Sequence, residues 1–206
     1  MLPRIYLLKL GSILRDQGGN ILDARSSVTL IESEKGMIIV DSGQEGDGEV
    51  ILEALADLGL EKSDIDIIVN THSHPDHCAN NRLFSRATKI FPQDGEEIAP
   101  GVRALATPGH SPDSISLAVD AAPHHIEDEM ATASGIVVIA GDALPTLGNY
   151  QKRVPPAVHY DRALAVASMN KIIEMADIVI PGHDRPFSLQ EESPERFVGL
   201  MTASSR

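Results

Sequence analysis

Four side chains that bind metals well lie within one short segment: His72, His74, Asp76 and His77. Their H-x-H-x-D-H spacing is improbable by chance, because the whole chain contains only 8 histidines. Imidazole nitrogens and carboxylate oxygens are the ordinary ligands of zinc and related divalent ions. Alternate residues of an extended turn point to similar sides, so His72 and His74 can bind one metal while Asp76 and His77 face a second. Pro75 restricts the backbone between the two pairs.

Three further ligand types follow later in the chain: His110, Asp142 and His183. Each comes after a short apolar run, and residues just beyond the carboxyl ends of strands converge on one edge of layered α/β folds. These residues can supply the ligands that the first segment lacks, while leaving room for water. The sequence therefore predicts a centre of two metal ions that activates water for hydrolysis.

The order of these residues, with Asp41 before them, resembles the metallo-β-lactamase superfamily over residues 38–186. The resemblance implies that Asp41 orients a ligand histidine without binding metal itself. By the same resemblance, His72, His74 and His110 hold the first metal, Asp76, His77 and His183 hold the second, and Asp142 bridges both. It makes Asp76 and Asp142 the expected catalytic carboxylates. It also implies an α/β fold, the αββα sandwich, with the metals at one edge of the paired sheets.

The expected activity is the hydrolysis of a small ester, thioester or lactone. Class B β-lactamases often carry cysteine where this chain has Asp142, so the resemblance is closer to glyoxalase II and the lactonases. Zinc is the favoured metal, with iron or manganese as alternatives, because imidazole and carboxylate ligands accept all three. Three other activities stay open: a phosphodiesterase or ribonuclease of the same fold, a persulfide dioxygenase with a single iron, and a metal-binding protein without turnover.

Secondary structure must bring these distant residues together, and short runs rich in Val and Ile predict most of it. Strands are expected at residues 5–10, 27–31, 37–40, 65–69, 102–106, 115–119, 136–140 and 178–180. Helical spacing of apolar residues predicts one helix around residues 50–58 and a second around 164–175. Ser193 followed by Pro194 predicts a short helix near the end of the chain.

Composition limits the partners and the location. A formal net charge of -13 disfavours nucleic acid as a partner, because binding a phosphate backbone requires clustered Lys and Arg. No apolar run approaches the roughly 20 residues of a membrane-spanning helix. A single cysteine, Cys78, fits a reducing compartment, so we expect a cytoplasmic location. The chain length suits one domain over residues 1–206. The expected partner is a small-molecule substrate. The sequence leaves the oligomeric state open.

Three further features lie outside the predicted set of metal ligands. Residues 143–159 lack clear periodicity and follow Asp142, which suits either a loop that gates the substrate or a plain surface connection. Lys152 and Arg153 within it could meet an anionic substrate. Residues 121–135 are expected to form an exposed connection that carries His124 and His125 as a solvated pair. Cys78 is expected to be a packed thiol outside the metal site.

Overall fold

Two β-sheets account for most of the chain in the computed structural model, which describes residues 2–124 and 133–189. The strands are β1 (Arg4–Lys9), β2 (Ser12–Arg15), β3 (Ile21–Arg25), β4 (Val28–Ser33), β5 (Gly36–Val40), β6 (Ile65–Val69), β7 (Thr88–Ile90), β8 (Glu97–Ala99), β9 (Val102–Ala106), β10 (Ile115–His124), β11 (Ala133–Gly141), β12 (Ile178–Pro181) and β13 (Phe187–Ser188). The helices are α1 (Gly48–Asp57), α2 (Pro75–Cys78), α3 (Leu147–Lys152) and α4 (Arg162–Met175). Single 3₁₀ turns lie at Lys62–Asp64 and Asn81–Leu83.

The first sheet has the strand order β1-β4-β5-β6-β7, and the second has the order β13-β12-β11-β10-β9-β8. The strands β2 and β3 form a separate hairpin. Parallel pairing joins β5 to β6, β6 to β7 and β11 to β12. Since parallel strands end at the same edge of a sheet, the residues that follow them are gathered there. Asp41 follows β5, Asp142 follows β11, and His183 comes shortly after β12.

Both faces of the central strands are buried, which explains their continuous apolar sequences. In β5, Ile38 packs into the core between the two sheets, whereas its neighbour Ile39 packs beneath α1. In β11, Val137 packs into the same central core, whereas Val138 packs beneath α4. The alternation places one helix layer outside each sheet. The expected αββα sandwich of the metallo-β-lactamase fold is therefore confirmed.

Burial of one face holds each long helix in place. Ile51 and Leu55 of α1 are fully buried against the first sheet, and Met169 and Ile172 of α4 are buried against the second. Asp161 caps α4, because its carboxylate accepts hydrogen bonds from the first backbone amides of that helix. Within the described residues, no helix is both long enough and apolar enough to span a membrane.

All eight predicted strands and both predicted long helices are present, and the strands at 65–69 and 102–106 have the predicted ends. The other five described strands, β2, β3, β7, β8 and β13, have at most five residues each and were not predicted. The exposed connection expected at 121–135 is shorter than predicted, since β10 continues to His124 and β11 begins at Ala133. The middle of that connection, with His125, and the helix predicted from Ser193 lie outside the described residues.

Candidate metal centre

The histidine-rich segment lies between the end of β6 and the helical turn α2. His72 and His77 are almost fully buried, and His74 is half-buried. His74 has an extended backbone, and Pro75 is the first residue of α2. Proline suits this position, because the amide hydrogen that it lacks would have no partner within the helix. The segment was expected to be extended throughout, and this is wrong for its second half, because Asp76 and His77 belong to that helical turn. The turn directs the two pairs of ligands to different places.

Three histidines form the first group of candidate ligands: His72, His74 and His110. The Nδ1 atom of His74 lies 3.0 Å from His72 Nε2 and 2.9 Å from His110 Nε2. His110 is 7% exposed, although it follows β9 by four residues along a loop. The geometry of three nitrogens that face one point suits a divalent cation.

The second group joins Asp76, His77 and His183, whose candidate ligand atoms lie within 4.8 Å of one another. The Oδ2 atom of Asp76 is 3.5 Å from His183 Nε2 and 3.9 Å from His77 Nε2. His183 is contributed by the turn after β12, on the other sheet from β6. The two groups therefore combine residues from both sheets at one edge of the sandwich.

Asp142 lies between the two groups. One carboxylate oxygen, Oδ2, is 3.4 Å from His110 Nε2 in the first group and 3.3 Å from His183 Nε2 in the second. The other, Oδ1, is 3.1 Å from His183 Nε2 and 3.4 Å from His77 Nε2 in the second. All seven residues predicted from the sequence as metal ligands are thus brought together.

The outward-facing nitrogen of three histidines contacts an oxygen acceptor. His77 Nδ1 lies 2.7 Å from Asp41 Oδ2, His110 Nδ1 lies 2.8 Å from the Val158 carbonyl, and His183 Nδ1 lies 2.9 Å from the Arg25 carbonyl. A carbonyl can only accept, so His110 and His183 must donate from Nδ1. Their Nε2 lone pairs then point into the centre, as metal ligation requires.

Asp41 is a short bridge between the ligands and the first sheet. Its Oδ1 accepts a hydrogen bond from the Thr71 amide at 2.7 Å, and its Oδ2 accepts one from Thr71 Oγ1 at 2.8 Å. Asp41 has a φ of 59°, in the left-handed region, and Asp adopts that region more readily than most residues. Asp41 is 2% exposed, so its interaction with His77 is shielded from water.

The charged groups of the centre shift one another's pKa values. Burial alone would lower the pKa of His77, but the carboxylates of Asp41 and Asp142 overcome it and hold that pKa well above its ordinary value. Burial would raise the pKa of Asp142, yet hydrogen bonds and charge from His183 and His77 hold it well below. The pKa of His72 is lowered to about 2, mainly by burial and secondly by the positive charge of His77. These shifts keep Asp142 ionised and His72 neutral, which are their ligand forms, whereas they favour a proton on His77 that a bound metal would displace.

Two buried atoms test whether a cation fits. His77 Nε2 and Asp142 Oδ1 are buried and have no hydrogen-bond partner among the described residues. A buried polar atom without a partner costs about 1–3 kcal/mol, and more when it is charged. Both atoms face the middle of the centre, where nitrogen and carboxylate donors surround the space between them. The donor set and the unpartnered atoms fit divalent metal ions.

A cavity of about 150 Å³ opens above the centre. Its floor contains His74, Asp76, His110, Asp142 and His183. Its walls are mainly apolar and come from the β2–β3 hairpin and from the segments on either side of α3: Ile13, Arg15, Ile21, Ala24, Pro145, Pro156, Ala157 and Val158. Arg15 is the one Lys or Arg side chain among these lining residues.

Several contributors to the centre were not predicted. The hairpin could have been found from its turn, since Asp16 and Asn20 flank two glycines between apolar pairs. Thr71 directly precedes the histidine segment, but no sequence pattern predicts that its hydroxyl donates a hydrogen bond to Asp41. The carbonyls of Arg25 and Val158 leave no signal, because every residue has a carbonyl.

The segment 143–159 includes the helix α3, which its irregular sequence did not predict. Tyr150 of α3 is buried and stacks on Phe187 at 5.5 Å between ring centroids. Arg153 lies over the Tyr150 ring, 4.8 Å from its centroid, and neither Lys152 nor Arg153 lines the cavity. Cys78 is half-buried, with Sγ 3.6 Å from the Ser73 carbonyl, and belongs to neither ligand group.

Comparisons with known proteins agree with this geometry. Residues 23–90 match the model of the metallo-β-lactamase superfamily. The chain is 31% identical to metallo-β-lactamase domain-containing protein 1 of Mus musculus, over 83% of this chain and 68% of that protein. It is 33% identical to a probable metallo-hydrolase of Methanocaldococcus jannaschii, over 87% of this chain and 86% of that protein.

A solved structure of similar fold is an N-acyl homoserine lactone hydrolase with the product N-hexanoyl-L-homoserine bound at its catalytic metal centre. It has a TM-score of 0.68 and 22% identity, and the match covers 89% of this chain and 94% of that one. Fold, ligand geometry and two relatives above 30% identity lead to one conclusion. The chain belongs to the metallo-β-lactamase superfamily and is a metal-dependent hydrolase.

Proposed function

We propose that this chain is a dinuclear metallohydrolase that opens a small lactone, ester or thioester. The observation that carries the proposal is the position of Asp142, whose carboxylate lies within 3.4 Å of a histidine from each group. A single ion would use only one of those groups. The unpartnered Oδ1 of Asp142 and Nε2 of His77 support a second cation.

For the two ions we keep the division of ligands that the family resemblance implies. His72, His74 and His110 would hold one ion, Asp76, His77 and His183 would hold the other, and Asp142 would contact both; zinc is the favoured metal. When bound, such ions lower the pKa of a water molecule towards neutrality and polarise a carbonyl oxygen.

The protein's own residues supply orientation and proton transfer. Asp41 and the Arg25 and Val158 carbonyls fix the rings of His77, His183 and His110, so that these ligands do not have to reorganise during the reaction. The Asp76 side chain is 24% exposed at the cavity floor. We assign its carboxylate to the transfer of a proton towards the leaving oxygen or sulfur, because that transfer must occur beside the substrate.

The cavity favours a small neutral substrate with an apolar part. Apart from Arg15, its walls are Ile, Ala, Pro and Val side chains, which would stabilise the bound substrate by removing apolar surface from water. The similar fold of an N-acyl homoserine lactone hydrolase, which holds its product at a catalytic metal centre, supports a lactone as the first substrate to test. One cationic wall residue and a net charge of -13 argue against a polyanion such as RNA. The single free cysteine supports the expected cytoplasmic location.

The test is a substrate panel with metal-reconstituted full-length protein. We expect two zinc equivalents per chain, with turnover of aliphatic lactones and thioesters and little turnover of a nitrophenyl phosphodiester or of RNA. Asp142→Ala should abolish hydrolysis and release at least one metal. Asp57→Asn, at the exposed end of α1, is the matched control and should keep both metals and full activity.

Other outcomes would contradict the proposal in distinct ways. Full activity in Asp142→Ala would remove the bridging role. Cleavage of RNA in preference to lactones would replace the substrate class. A single bound iron together with oxygen consumption on a persulfide would replace hydrolysis with sulfur oxidation.

A further inference from the structure

The backbone carbonyl of Arg25 is the contact that orients His183. It accepts the Nδ1 hydrogen of His183 at 2.9 Å, so the Nε2 atom of that ring faces Asp76 and Asp142. Arg25 is the last residue of β3, which also contributes to the cavity wall. The position of one main-chain oxygen therefore controls one ligand of the second group.

A buried carboxylate outside the metal centre holds this part of the backbone. Asp47 Oδ1 lies 2.7 Å from Arg25 Nη1, and Asp47 Oδ2 lies 3.3 Å from Lys9 Nζ. The ammonium of Lys9 in turn donates to the carbonyl of Ser26 at 2.8 Å. Asp47 thus acts, through two cations, on two consecutive residues beside His183.

Burial makes these contacts well defined. The Asp47 side chain is 2% exposed and that of Lys9 is 10% exposed, whereas Arg25 is 41% exposed. The backbone amide of Gln44 donates to Asp47 Oδ2 at 3.0 Å, which fixes the carboxylate further. A buried charge that loses a partner is strongly unfavourable, so a change at Asp47 must move its neighbours or admit water. Arg25 would keep its exposed contact with Asp23.

The His183 turn has a second support that does not depend on Asp47. Ser27 donates from its amide to the Gly182 carbonyl at 2.7 Å and from its hydroxyl to the Pro181 carbonyl at 2.7 Å. These bonds hold the turn near the first sheet, but they leave the His183 ring free to rotate. Loss of Asp47 should therefore disturb the ring more than the fold.

We propose that Asp47 is a positioning residue for the second metal, acting through the Arg25 carbonyl on the His183 ring. This inference rests on the proposed dinuclear function. Asp47 touches neither substrate nor metal, and its effect is confined to the group that contains His183. The three ligands of the first group do not contact Arg25, Lys9 or Asp47 through any hydrogen bond among the described residues.

The experiment compares full-length Asp47→Asn and Arg25→Met with the native protein. Zinc is titrated against a chromophoric chelator, which gives a dissociation constant for each equivalent. Arg25 is half-exposed, so Arg25→Met removes the guanidinium without opening the core, and it serves if Asp47→Asn folds poorly. Glu32→Gln is the control, because Glu32 also pairs with an arginine, Arg4. Glu32 lies near the end of β4, whereas Arg25 and Ser26 lie just before the start of that strand.

We expect each variant to weaken one zinc equivalent about tenfold or more and to leave the other within twofold, as for other groups that orient metal ligands. The double variant should be no weaker than the stronger single variant, because both changes break one chain of contacts. Equal weakening of both equivalents, or no weakening in a folded variant, would overturn the inference.

A readout without metal separates this inference from the proposed function. In the metal-free ¹⁵N-labelled protein, the Nδ1 hydrogen of His183 should exchange with water faster in Asp47→Asn than in the native protein or in Glu32→Gln; its signal is assigned with His183→Gln. If the native protein binds only one metal, the dinuclear proposal fails, and the exchange rate still decides the role of Asp47. Equal exchange rates would then refute that role.

Discussion

Replacing Asp41 by Asn isolates the contribution of one negative charge behind the second metal group. Asn tolerates the left-handed backbone at this position, where φ is 59°, so the change adds little strain. The amide oxygen can keep the bond from the Thr71 amide. The amide nitrogen then replaces Oδ2 and faces His77 Nδ1, which is 2.7 Å away and itself a donor.

The magnitude follows from the bond that is lost. A hydrogen bond to a charged group contributes about 1.5–3 kcal/mol. At about 1.4 kcal/mol per tenfold change, this corresponds to roughly a 10- to 100-fold weaker second metal. Without the acceptor, His77 can also place its hydrogen on Nε2, where it would oppose a cation. The proposed ligands of the first metal, His72, His74 and His110, should be affected less, because Asp41 does not contact them.

The assay is a competitive zinc titration of metal-free Asp41→Asn, with Asp57→Asn at the exposed end of α1 as the control. We expect one dissociation constant to rise 10- to 100-fold and the other to stay within about threefold. Two native dissociation constants in a folded Asp41→Asn protein would refute the reasoning, since the orienting bond would then contribute nothing.

Two other changes probe the support of the centre and the core. In Gly182→Ala, the new Cβ would overlap Asp142 Oδ1 and lie 3.0 Å from the Gly141 carbonyl carbon, so bound zinc should fall below two equivalents in elemental analysis; a native metal content would contradict the close packing of this turn. Leu55→Ala should lower the free energy of unfolding in urea by about 2–5 kcal/mol, because Leu55 is fully buried. Leu58→Ala, at a residue 41% exposed, is its control and should cost much less; equal losses would contradict the assigned core face of α1.

The ligands could be predicted from the sequence because their signal is local and chemical. Four of them share one segment, and Asp142 and His183 directly or closely follow strands whose apolar runs are unmistakable. The resemblance then supplied their grouping, which the distances in the centre match. The central strands were equally clear, because burial on both faces leaves a continuous Val and Ile pattern.

The remainder depends on tertiary contacts that have no local pattern. Arg25 and Val158 orient ligand histidines through their backbone carbonyls, so the identity of their side chains does not indicate this role. The strands β7 and β8 have three residues each, which are too few to show the two-residue alternation of a strand. Only their pairing with longer neighbours defines them. The turn α2 was missed because a histidine and proline segment reads as extended, whereas Pro75 favours the first position of a helix.

The most direct test of two metals sharing Asp142 is anomalous diffraction from crystals of the zinc-loaded protein, recorded on both sides of the zinc absorption edge. We predict two peaks roughly 3.5–4 Å apart, one among His72, His74 and His110 and the other among Asp76, His77 and His183. Asp142 should lie within bonding distance of both. A single peak, or peaks away from these residues, would contradict the dinuclear centre.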